Sequence, residues 1–219
     1  MDEEAGPQPL AVFGVLGDLH AEDRLLDAAL GFLRERGIRR VLSVGDLVDG
    51  PGDAERALAT LQREGVEAVR GNHDRWIVRG QLRDLPEATL RHELSEGAIA
   101  YLTMLPPLRT YASERGRVIL CHGLGTDDMA SVYPDDVVGT SFDLRQLTAQ
   151  GYAGIMICGH SHRRLVRRFG ALTIVNVGTL LRHHGPSFAV VDLPAGEVTF
   201  HDLGPEGAIV GATTTRLPD

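Results

Sequence analysis

Within its first third the chain repeats one rhythm three times. Leu10–Leu16 is apolar and breaks at Gly17-Asp18, Arg40–Val44 breaks at Gly45-Asp46, and Val66–Val69 runs into Arg70-Gly71-Asn72-His73. The spacing between them predicts helices. Over Ala21–Arg36, Leu25, Ala29, Phe32 and Leu33 fall on one face, Glu22 and Asp23 sit in the first turn, and Gly37 ends the segment. Over Ala54–Glu64, Asp53 is the cap, Ala57, Leu58 and Leu61 face inward, and Gly65 closes. Strand and helix alternating in this way predict a parallel α/β sheet. Right-handed crossovers bring the three strand ends to one edge. Asp18, Asp46 and Asn72-His73 then share a rim, which is where open α/β sheets bind ligands.

The remainder is less regular. Ser95 can cap a short helix through Ala98, Ile99 and Leu102 that stops at Pro106-Pro107, and Gly116–Cys121 is a strand ending at His122. Leu124–Phe142 is polar and without period, and a connection that long is often functional. Asp143–Gln150 reads as a helical turn or two, and Gly154–Cys158 as a strand ending at Gly159-His160-Ser161-His162. Arg164–Phe169, Leu172–Val177, Phe188–Asp192 and Glu197–Asp202 are short, β-rich and joined by Gly/Pro turns, which suggests an antiparallel second half. Two sheets packed face to face with helices outside satisfy both halves; a single mixed sheet is the alternative.

At 219 residues and 43% hydrophobic composition the chain has room for one substantial core. Residues 1–9 read as a flexible tail, 10–204 as a single domain, and 205–219 as a loosely held C-terminal tail. The net charge of -8 weighs against a sequence-independent nucleic-acid binder, but leaves nucleic acid open as a substrate. No apolar run approaches the ~20 residues of a membrane span, and the acidic start is unlike a secretion signal. Cys121 and Cys158 close apolar runs and read as free thiols, so the expected location is cytoplasmic.

Five strands thus end in residues able to hold a metal: Asp18 with His20, Asp46, Asn72 with His73, His122, and His160 with His162. A Gly-Asp pair alone is ordinary turn chemistry, and a His-x-His pair alone can be solvated. Their joint occurrence, each at a strand mouth, points to a metal site. Carboxylate, amide and imidazole donors suit Mn, Fe, Ni or Zn and lack the thiolates of a structural zinc site.

Gly17-Asp18-Leu19-His20, Gly45-Asp46-Leu47-Val48-Asp49, Gly71-Asn72-His73-Asp74, His122-Gly123 and Gly159-His160-Ser161-His162 together resemble the calcineurin-like metallophosphoesterase superfamily. The resemblance implies an α/β fold of two mixed β-sheets packed face to face and flanked by helices, a four-layer αββα sandwich. It implies two divalent transition-metal ions, with Mn favoured. Asp18, His20, Asp46 and His162 would hold the first, and Asp46, Asn72, His122 and His160 the second, with Asp46 bridging. Such a pair, ~3.5–4 Å apart, polarises a phosphoryl oxygen and deprotonates a shared water that attacks phosphorus. The matching histidine, His73, would stand on the leaving-group side, with Asp74 orienting its ring and favouring the protonated form.

The expected activity is hydrolysis of a phosphodiester or phosphomonoester in a phosphorylated small molecule or nucleotide-like substrate. Protein Ser/Thr phosphatases and the related diadenosine tetraphosphatases carry a Gly and an Arg where this chain has Ala21 and Gly50, so that branch lacks its phosphate clamp here. Asn176-Val177-Gly178-Thr179 resembles an Asn-Pro-Gly-Ser element of the small bacterial phosphodiesterase branch. Many members of that branch have Cys in the place of His73; this chain keeps His. Arg75 and Arg182 are the nearest candidates for a substrate clamp. Trp76 can stack on a ring, His183 and His184 read as surface residues, and the 124–142 loop is where selectivity is expected. A non-catalytic protein-binding module of the same fold is the rival reading, weakened because every ligand position is filled.

Overall fold

A computed structural model of the chain describes residues 8–81, 83–136, 147 and 149–218. The three opening strands are β1 (Val12–Leu16), β2 (Val41–Ser43) and β3 (Glu67–Ala68), parallel in that order. Helices α1 (Asp23–Glu35) and α2 (Ala54–Arg63) make the crossovers. Asp53 caps α2 by accepting from the Arg56 N–H at 2.9 Å. Helix α1 starts two residues later than its periodicity predicts, because Ala21 is held at φ 56°, outside helical space.

The Gly-Asn-His-Asp segment, for which the periodicity predicts no element, opens a third helix, α3 (Asn72–Val78). Then follow α4 (Glu96–Met104), capped by the Ser95 hydroxyl, and strands β4 (Leu108–Ser113), β5 (Gly116–Cys121), β6 (Gly154–Cys158), β7 (Leu165–Phe169), β8 (Leu172–Asn176), β9 (Ser187–Asp192), β10 (Glu197–Leu203) and β11 (Ile209–Arg216). One sheet has the order β11-β10-β9-β1-β2-β3, the other β4-β5-β6-β8-β7. Both are mixed: β5, β6 and β8 run parallel, while β4, β7, β9, β10 and β11 pair antiparallel.

The pleat explains why the sheets stack. In β1, Phe13 and Val15 point to the other sheet; in β5 and β6, Val118, Leu120, Ile155 and Ile157 point back. Alternate residues serve a second layer. Ile119, Cys121, Met156 and Cys158 face outward, where Leu124, Val132 and Leu147 cover them. Leu25, Leu26, Ala29 and Leu33 of α1, Leu58 and Leu61 of α2 and Leu102 of α4 cover the outer face of the first sheet. Each buried Leu, Ile, Val, Phe or Met among them contributes about 1.5–3 kcal/mol relative to exposure.

The C-terminal segment departs from expectation. Within the stretch expected as a loose tail, 205–219, β11 pairs with β10 from Ile209 to Arg216, and Leu217 is buried between the sheets. Most of β11 is exposed on both faces, so backbone pairing holds it rather than burial. A strand of that kind leaves no apolar alternation to read. β4 was invisible for a similar reason, being at most half-buried on either face at a sheet edge. Residues 1–7 of the expected N-terminal tail, 137–142 of the long loop and most of the helical turn predicted at 143–150 lie outside the described residues.

Cys121 and Cys158 are free and buried, and burial pushes the Cys121 thiol up to about 12. No helix among the described residues is long and apolar enough to cross a membrane.

Candidate metal centre

The C-terminal ends of β1, β2, β3, β5 and β6 meet on one rim, and the turn after each brings its polar residues inward. Asp18 is fully buried, yet neither carboxylate oxygen accepts a hydrogen bond. The nearest basic atoms are His162 Nε2, 3.1 Å from Oδ2, and His122 Nδ1, 3.5 Å from Oδ1. A carboxylate stripped of water and of donors is unfavourable unless positive charge completes it. His20 and His162 meet through Nε2 atoms 3.0 Å apart. His20 Nδ1 donates to the Asp49 carbonyl at 2.7 Å, and His122 Nδ1 to the Val44 carbonyl at 3.0 Å. Both bonds fix the tautomer that leaves Nε2 free to coordinate. His122 Nε2 then lies 3.2 Å from Asp46 Oδ2 and 2.9 Å from Asn72 Oδ1.

Donor atoms of Asp18, His20 and His162 lie within 4.8 Å of one another, as do those of Asp46, His122 and His160, and those of His20, Asp46 and His73. All the residues expected as ligands are therefore gathered at one place, and Asp46 belongs to two of the three groups. The field of the site favours positive charge. Burial alone would raise the Asp46 carboxyl, but His122, His73 and His20 outweigh it and hold that group far below the usual carboxylate range. Burial opposes charging His122, yet Asp46 and Asp18 push it up to about 10. Burial lowers His20 and His160. A proton on His122 does what a cation would do there, and the two compete.

The backbone is shaped for this purpose. Among the described residues six non-glycines have left-handed φ: His20, Ala21, Asp46, Asp49, His160 and His162, and five of them carry side chains into the rim. Each such residue costs on the order of 1–3 kcal/mol, and clusters of them mark functional sites. Glycines let the carboxylates come close. A Cβ at Gly71 would stand 2.1 Å from Asp46 Oδ1, and one at Gly159 2.1 Å from Asp18 Oδ1.

A sequence profile described as the calcineurin-like phosphoesterase superfamily domain matches residues 12–196. The chain belongs to the calcineurin-like phosphoesterase superfamily. It is 29% identical over 183 residues to a probable metallophosphoesterase of Methanothermobacter thermautotrophicus, covering 82% of this chain and 84% of that one. It shares its fold with a metallophosphoesterase from Sphaerobacter thermophilus (TM-score 0.65, 21% identity, 88% of this chain and 87% of that chain). The same holds for Vacuolar Protein Sorting 29 from Cryptosporidium parvum (TM-score 0.61, 19% identity, 97% and 100%).

Around this superfamily centre three expected roles change hands. The His73 ring donates its Nδ1–H to Asp49, not Asp74: Nδ1 lies 2.7 Å from Asp49 Oδ2. Asp74 is fully buried and spends both oxygens on backbone N–H groups, of Leu47 and Gly71, each at 2.8 Å. It ties the β2 turn to the start of α3 and acts on His73 only through its charge. Burial first, then Asp46, pushes its carboxyl up to about 7. Asp49 in turn is anchored by the Thr89 N–H at 2.8 Å and by Arg83 at 3.0 Å. Sequence reading missed Asp49 as a partner because it sits in the matched motif without a role of its own.

The two arginines expected to clamp substrate are already committed. Arg75 forms a bidentate pair with Asp128, at 2.6 and 2.9 Å. Arg182 binds the fully buried Glu22 through Nε at 2.8 Å and Nη2 at 2.7 Å. Glu22, by sequence a first-turn acid, instead fastens the short 3-10 turn Arg182–His184. Arg182→Met would strand a buried carboxylate. Discounted because Arg182 is a third exposed, the loss is about 1–3 kcal/mol. A thermal melt should show it as a drop of roughly 2–10 °C; a raised KM with an unmoved melt would return Arg182 to the clamp role.

Gly50 also acquires a reason. A Cβ there would stand 2.0 Å from the His20 carbonyl oxygen, so this backbone has no room for the arginine of the protein phosphatase branch. Asn176 proves structural to the rim: its Nδ2 donates to the Gly159 carbonyl at 2.6 Å, and Thr179 Oγ1 donates to the Asp18 carbonyl at 2.8 Å.

Proposed function

We propose that this protein is a dinuclear metal-dependent phosphoesterase acting on a phosphodiester or phosphomonoester of a small molecule. The observation that carries the reading is the buried Asp18 carboxylate without a hydrogen bond, enclosed with Asp46 by imidazoles whose tautomers leave Nε2 free. Asp18, His20, Asp46 and His162 would hold one divalent cation, and Asp46, Asn72, His122 and His160 the other; this oxygen- and nitrogen-donor set suits Mn, Fe, Ni or Zn, and Mn is the one the family resemblance favours. Bound there, such ions supply Lewis acidity and lower the pKa of water. The chain's own residues do the rest. Asn72 contributes an uncharged oxygen and so limits the negative charge that an anionic substrate must meet. His73 is half-buried at the mouth, held by Asp49, and can deliver a proton from Nε2 to a leaving oxygen. The buried free thiols support a reducing, cytoplasmic setting.

The test is turnover of bis-p-nitrophenyl phosphate and p-nitrophenyl phosphate with Mn²⁺ and with chelator. We expect Mn-dependent release of nitrophenol from at least one, abolished by chelation, and the ratio of the two assigns diester against monoester preference. Silence toward both substrates in Mn²⁺, Ni²⁺ and Zn²⁺ would favour a protein-binding module instead.

A further inference from the structure

A cavity of about 540 Å³ opens beside the centre, and its chemistry is one-sided. His160 and His162 form its inner wall; Ser161, Arg163, Tyr133, His183 and His184 form the rest. No carboxylate lines it among the described residues, although the chain carries 30 acidic against 22 basic residues. A cavity of about 640 Å³ beyond Gly50 is the opposite, lined by Asp53, Glu55, Glu87 and Glu93.

The arginines around the centre sharpen the contrast. Arg75, Arg83, Arg164 and Arg182 are each paired with a carboxylate: Asp128, Asp49, Asp202 and Glu22. The Arg163 guanidinium has no such pair among the described residues, and it is the one that lines the cavity. His184 adds a directed donor. Its Nδ1 lies 3.3 Å from His162 Nδ1. If His162 held a cation through Nε2, its hydrogen would stand on Nδ1, available to donate to His184 Nδ1, and the His184 Nε2–H would be left as a donor. The Glu22–Arg182 pair holds the turn that carries His183 and His184.

We propose that this cavity is a subsite for a second anionic group, a phosphate or a carboxylate, that the substrate carries beyond its reacting phosphoryl group. Arg163 supplies the planar fork that matches either oxyanion, and His184 and the Tyr133 hydroxyl supply further donors. The subsite rests on the proposed metal centre, since His160 and His162 belong to both. It makes bis-anionic molecules the preferred substrates, and it explains how an acidic protein draws in an anion.

Calorimetric titration of the Mn-loaded protein tests this without relying on turnover. The ligands are glycerol 3-phosphate, 3-phosphoglycerate and glycerol 1,3-bisphosphate, with metal content measured before and after. A charge-assisted contact predicts that one or both bis-anionic ligands bind about tenfold or more tightly than glycerol 3-phosphate. Which of them gains identifies carboxylate or phosphate as the second group. Arg163→Gln, at an exposed position, should remove most of that gap with melting temperature and metal content unmoved, and Arg163→Lys should restore part of it. Equal affinities for all three ligands in the unaltered protein, or a gap that survives Arg163→Gln, would overturn the subsite alone. Absence of Mn-dependent binding of glycerol 3-phosphate would overturn the metal centre, and the subsite with it.

Discussion

Asp46→Asn is expected to lower turnover of an aryl phosphodiester on the order of 10³-fold or more and to reduce bound metal by at least one equivalent. The size follows from where Asp46 sits. Its Oδ2 faces His122 Nε2 at 3.2 Å, its Oδ1 accepts from the His73 backbone N–H at 2.9 Å, and its donors belong to two of the three ligand groups. Asn keeps the shape and one oxygen but removes the charge. The remaining carboxylate, Asp18, then stands alone against four imidazoles. The fold should survive, because the Asp46 carbonyl that ties the Leu19 and His20 N–H groups is backbone and stays in place. Metal analysis of the purified variant, beside its circular dichroism, separates loss of the centre from loss of the fold. Full activity with full metal content would show that Asp46 does not bridge.

His73→Ala should lower kcat by roughly 10²–10⁴-fold while leaving metal content nearly intact if the ring serves the leaving-group side, as proposed, and lies outside both proposed ligand sets. Asp49→Asn probes the same step from behind. Burial works against a charge on His73, but the hydrogen bond it donates to Asp49 and the charge of Asp46 outweigh it and raise the ring above its ordinary value. A protonated ring that serves as acid is present at low pH and lost as pH rises through that raised value. The basic limb of the kcat profile belongs to it. Removing the Asp49 charge lowers the ring's affinity for its proton, so the limb moves to lower pH. Asn at 49 keeps an oxygen for the Thr89 N–H, which limits the damage to the turn. A limb that stays fixed in Asp49→Asn, or loss of metal in His73→Ala, would move His73 out of this role.

The candidate ligands were legible in the sequence because their chemistry and their position coincide. Asp18, Asp46, Asn72, His122 and His160 each follow a recognisable apolar strand, and parallel strands put such residues on one rim by topology alone. Partnerships were not legible. Asp49 and Asp74 both neighbour the right motifs, and only the left-handed backbone at Asp49, φ 64°, turns its carboxylate to the His73 ring. Arg182 finds Glu22 from 160 residues away, so no local pattern announces that the charge is spent. The helical form of the segment after Gly71 escaped because its polar residues serve the site and its capping carboxylate, Asp74, lies inside the helix rather than before it. Strands β4 and β11 escaped because sheet edges do not need an apolar face.

The left-handed turns have an evolutionary consequence. At φ between 48° and 65°, glycine would sit more comfortably than the Asp and His residues found at positions 20, 46, 49, 160 and 162. The metal-free fold would therefore gain stability from substitutions that destroy the chemistry. A lineage released from the need to hydrolyse phosphate should lose these side chains first and quickly, since drift and stability pull in the same direction there. This chain carries Asp or His at all five.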